Sequence, residues 1–83
     1  MLRFEAAEIL KEILVTCDNI EGKSIKLMPP DADSVLSKGC QIHIQKATCD
    51  VENSCVRRIA KKYDLAVHVE DTFLVLYKPL NLL

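Results

Sequence analysis

The 83-residue chain has no tryptophan, two glycines and three prolines. No apolar run approaches the roughly 18 residues that a membrane helix needs. The opening MLRFEAAEILKEIL places Glu5, Glu8 and Glu12 where a secretory leader would need an apolar centre. No two cysteines stand at the short spacing of a zinc knuckle, and no complete calcium loop follows Asp31 and Asp33. There is no GxxG loop and no recognisable RNA-binding strand motif. The net charge of −1 excludes a global attraction to nucleic acid or anionic lipid, so any such binding has to come from a local patch. These absences lead to the expectation of a cytoplasmic protein without membrane association, metal or cofactor. Its four cysteines, Cys17, Cys40, Cys49 and Cys55, are expected to be reduced thiols.

What is present is a fold. Nearly half the residues are apolar and 28% are charged, the balance of one globular domain over residues 1–83. The stretch DVENSCVRRIAKKYDLAVHVEDTFLVLYKP, residues 50–79, organises the rest. Asp50 offers a helix N-cap and Glu52 an acid in the first turn. Val51, Cys55, Ile59 and Tyr63 then recur at four-residue steps beside Val56 and Ala60, which is a helical stripe. From Leu65 the period becomes two. If Asp71-Thr72 is a two-residue loop, Val69 pairs with Leu74 and Val67 with Leu76, and those four share the core face; a loop one residue longer would swap the faces of the last strand. The other face then carries Ala66, His68, Phe73, Val75 and Tyr77. FLVLY has no polar side, which calls for burial on both faces or for a partner.

Upstream, Leu2 to Cys17 reads as a helix with Leu2, Ala6, Ile9, Leu10, Ile13 and Cys17 inward. KSIKLM is a strand stopped by Pro29-Pro30. Residues 31–39 hold either a helical turn or an open loop. QIHIQK is a strand with Ile42 and Ile44 on one face and Gln41, His43 and Gln45 on the other. The order α-β-β-α-β-β predicts an α+β two-layer sandwich, a four-stranded, mostly antiparallel sheet with both helices on one face. If the second and third strands are neighbours, they should run parallel. EGKSIKLMPP and EDTFLVLYKP share three positions in ten, an echo that duplication or convergence explains equally well.

The segment SKG at Ser37–Gly39, then QIHI, a helix and FLVLYK, resembles the TusA/SirA sulfur-carrier domains over about half the chain. The resemblance implies a two-layer fold. The family's Cys-Pro-x-Pro motif is absent, so no sulfur-transfer role carries over.

Three functional readings follow. The first is a non-enzymatic binding or assembly module, acting as a homodimer or with a protein partner, with Phe73, Val75 and Tyr77 as the interface. The second is nucleic-acid binding through the helix face Arg57, Arg58, Lys61 and Lys62, against the plainer reading of a solvated face. The third is thiol chemistry at Cys49, just before a helix N-terminus that would lower its pKa. The set Cys40, His43, Cys49 and Cys55 has the wrong spacing for a structural zinc site, and His43 and His68 lack triad partners nearby in sequence.

Overall fold

A computed structural model of the chain describes residues 1–18, 20–30, 39–46 and 53–79. It contains helix α1 (Arg3–Thr16), strands β1 (Ile25–Met28) and β2 (Gln41–Gln45), helix α2 (Ser54–Lys62), and strands β3 (Ala66–Val69) and β4 (Phe73–Tyr77). A short 3₁₀ turn, Gly22–Ser24, leads into β1. The four strands form one sheet in the order β1-β2-β4-β3, with every neighbouring pair antiparallel. The fold is thus a small α+β domain. The second and third strands of the chain are not neighbours, so no parallel pair arises. Instead β2 meets β4, which leaves β1 and β3 at the edges. The EGKSIKLMPP/EDTFLVLYKP echo aligns β1, an edge strand, with β4, a central one, so the two stretches hold different places in the sheet.

Strand parity places Ile25, Ile42, Ile44, Leu74 and Leu76 on one side of the sheet, and all five are buried. Against them lie Ala6, Ile9 and Ile13 of α1 and Val56, Ile59 and Ala60 of α2, forming one core. Burying a side chain of this size stabilises the fold by roughly 1.5–3 kcal/mol. The hairpin register is the one that a two-residue loop requires. Val69 faces Leu74, Val67 faces Leu76, and the Glu70 amide donates to the Phe73 carbonyl at 2.9 Å.

Three local expectations are corrected. Leu2 is 70% exposed, and Met1 is buried in its place. Leu2 is the extended N-cap residue of α1, so helical periodicity does not govern it. Met1 is held because its carbonyl accepts the Cys40 amide at 2.9 Å, and Gly39 makes room: a Cβ there would lie 2.5 Å from the Met1 nitrogen. The N-cap of α2 is Asn53, whose Oδ1 accepts the Val56 amide at 3.0 Å. Asp50, Val51 and Glu52, like residues 31–38, lie outside the described residues. Finally, Cys17 and Cys55 are joined by a disulfide. The two helices run antiparallel, which brings the C-terminal cap of α1 beside the first turn of α2. The same alignment brings Glu12 to Lys62 at 3.1 Å. No helix among the described residues is long and apolar enough to cross a membrane.

Candidate functional site: the open face of the sheet

Both helices pack on one side of the sheet. The opposite face is built by alternation from the remaining strand residues. One row crosses it completely: Lys26 on β1 faces His43 on β2, His43 faces Val75 on β4, and Val75 faces His68 on β3. On one side of that row, Met28 is opposite Gln41, and Tyr77 is opposite Ala66. On the other, Gln45 is opposite Phe73. Phe73, Val75 and Tyr77 therefore share the face turned away from α1 and α2, along a central strand. Their burial differs. Phe73 and Tyr77 are half-buried, whereas Val75, flanked by both histidines, is only 2% exposed and forms a floor rather than a contact.

The His43 ring stacks on Phe73, with centroids 4.7 Å apart and planes 20° from parallel. Its Nε2 lies 3.0 Å from Gln41 Oε1. Partial burial lowers the His43 pKa below the ordinary histidine value, the Lys26 ammonium opposite lowers it further, and Glu70 opposes weakly. The neutral ring, able to lie flat on Phe73, is thus the favoured form. His68 Nε2 lies 3.0 Å from Glu70 Oε1. At the β1 end the face dips into a shallow depression of about 690 Å³, lined in part by Lys23, Lys26, Met28, His43 and Phe73.

The basic helix face is less uniform than its sequence. Lys62 pairs with Glu12, whose carboxylate also accepts the Tyr63 hydroxyl at 2.7 Å. The Tyr63 hydrogen bond first, and Lys62 second, hold the Glu12 carboxyl below its usual range. Arg57, Arg58 and Lys61 are exposed. Arg58 also lines a cleft beside the Cys17–Cys55 bond.

The cysteine set does not assemble. Cys40 is buried in the core, Cys55 is bonded to Cys17, and Cys49 lies outside the described residues. The expectation of reduced thiols at all four positions, drawn from the cytoplasmic reading, does not hold, because Cys17 and Cys55 are bonded to each other. The His43–Phe73 stack and the disulfide were the features that sequence reasoning missed. Parity had turned both stacked residues outward, but their contact depends on β2 lying beside β4.

No protein-family model, characterised protein or solved structure matches this chain.

Proposed function

We propose that the chain is a non-enzymatic assembly module that works as a homodimer through the open face of its sheet. The observation that carries this reading is the pair Phe73 and Tyr77, half-buried on a central strand, on a face that no described helix covers. Met28, Ala66 and the neutral His43 ring extend the same surface. Aromatic and methionine side chains of this kind are enriched at protein interfaces, where charged residues are depleted.

The rim supports a second copy over a strongly charged partner. Lys23 and Lys26 lie on the β1 side, and Glu70 and Asp71 at the β3–β4 turn. A twofold axis along the strand direction lays the β1 side of one copy over the β3 side of the other, so each sign meets its opposite. Four strands of about five residues give a footprint of roughly 300 Å². That is small beside the roughly 800 Å² per partner of a standard interface, and belongs with weak, reversible association.

Light scattering from tens of micromolar to one millimolar tests the proposal. The apparent mass should rise from 9.4 kDa toward twice that value. Phe73→Glu combined with Tyr77→Glu should hold it at the single-chain mass. A constant single-chain mass for the wild type removes the reading.

A further inference from the structure

We propose that the depression at the β1 end of the sheet binds a small aromatic anion, whose ring stacks on the His43–Phe73 pair and whose carboxylate or phosphate meets the Lys26 ammonium.

The depression holds about 690 Å³, inside the roughly 300–1,000 Å³ of small-molecule sites. Strand parity builds it. Lys26 and Met28 of β1, His43 of β2 and Phe73 of β4 line it, all on the side of the sheet turned away from α1 and α2. The register then sets their spacing. Gln45 is opposite Phe73, so His43 is the diagonal neighbour of Phe73, and the two rings stack with centroids 4.7 Å apart. Lys26 is directly opposite His43. Both rings are half-buried, so each keeps surface for a third ring. Stacked aromatic rings attract beyond the area that they bury.

The charge of the ligand follows from the lysines. Lys23 and Lys26 both line the depression. Lys23 already holds Glu21 at 3.3 Å. Lys26 is exposed, and its side chain has no ion pair among the described residues. Its ammonium is close enough to His43 to disfavour a proton on that ring, which places the cation beside the aromatic pair. An acidic group one or two bonds from a stacked ring therefore falls within reach of the flexible lysine stem. Ser24 and Thr72 add hydroxyl-bearing residues to the lining. A cationic ring would be repelled by Lys26, and a neutral one would leave that ammonium unanswered. Aryl carboxylates and nucleoside phosphates share the required chemistry.

The site goes beyond the proposed homodimer and does not depend on it. The test is an NMR titration of the labelled full chain at tens of micromolar, the low end of the range over which mass is expected to rise. Adenosine monophosphate and indoleacetate are the probes. Lys26, His43 and Phe73 should shift together and saturate with one of them. A response to the first assigns a nucleoside phosphate, and a response to the second an aryl carboxylate. Adenosine and inorganic phosphate, or indole and acetate, should each bind several-fold more weakly than the joined molecule. Lys26→Gln, a change at an exposed position, should weaken binding three- to fivefold, the scale of an exposed charge pair. No shift with either probe at millimolar concentration overturns the proposal. So do shifts confined to other residues, equal binding of a ring or an anion alone, and unchanged affinity in Lys26→Gln. A chain that binds a probe yet stays single at one millimolar keeps this site and loses the homodimer; a chain that dimerises but binds neither probe does the reverse.

Discussion

Cys17 at the C-terminal cap of α1 is covalently bonded to Cys55 in the first turn of α2, 38 residues further along the chain. In the chain-entropy picture, closing a loop of that length stabilises the fold by about 4 kcal/mol. That is a large share of what a domain this small can hold, since it buries only roughly 60–65% of its unfolded surface. Urea unfolding with and without a dithiol reductant checks the value. Reduction, or Cys55→Ser, should lower the midpoint substantially. An unchanged midpoint would show that the packing of the two helices holds the domain without the bond.

His43 predicts a pH response with a definite sign. Its folded pKa is lowered, chiefly by partial burial and then by Lys26. The neutral ring is favoured by folding, so this contribution is complete above the unfolded value of about 6.5. It declines as pH falls from there toward the depressed folded value, then levels off. The groups facing the ring are Lys26, Gln41, Phe73 and, at longer range, Glu70. NMR titration of the ring protons should give a midpoint below 6.5. His43→Gln should flatten stability over the same window. A midpoint at or above the ordinary value would contradict the environment described.

The two ends of α2 make opposite predictions. Asn53→Ala removes the side-chain cap on the Val56 amide and should cost about 1 kcal/mol. At the other end, Asp64 has φ of 56°, the left-handed conformation of a helix-terminating residue. The Leu65 amide donates to the Ala60 carbonyl at 2.7 Å, and the Asp64 amide to that of Lys61 at 3.2 Å. Glycine adopts this backbone without strain, so Asp64→Gly should be neutral or stabilising. A β-branched residue is strained there, and Asp64→Val should destabilise by about 1–2 kcal/mol. Thermal unfolding of the three variants reads these effects. Equal loss in Asp64→Gly and Asp64→Val would place the role of Asp64 in its carboxylate.

Much of this fold was legible because period-two alternation is a strict constraint. Once Asp71 and Thr72 formed the loop, the partners of Val67 and Val69 followed, and with them the side of Phe73 and Tyr77. The helical stripe of Ala6, Ile9 and Ile13 was equally plain. What remained hidden was lateral. Nothing in local periodicity says that β2 lies beside β4, so the His43–Phe73 stack was out of reach. The helix alignment that joins Cys17 to Cys55 was hidden too, because each cysteine alone reads as a core position. Asn53 was passed over because Asp50 offers the same capping chemistry three residues earlier. The apolar character of both faces of FLVLY was visible at once. Only the structure separates Val75, already covered, from Phe73 and Tyr77, which remain available.

The proposed homodimer places a second copy on the face of the sheet turned away from α1 and α2, along β4. Isotope-filtered NOE spectroscopy on a millimolar mixture of ¹³C-labelled and unlabelled chains tests it most directly. Contacts between protomers are expected from the Phe73 and Tyr77 rings to Met28, Ala66 and His43. Protomer contacts that instead involve α1 or α2, or none at all at that concentration, would contradict it.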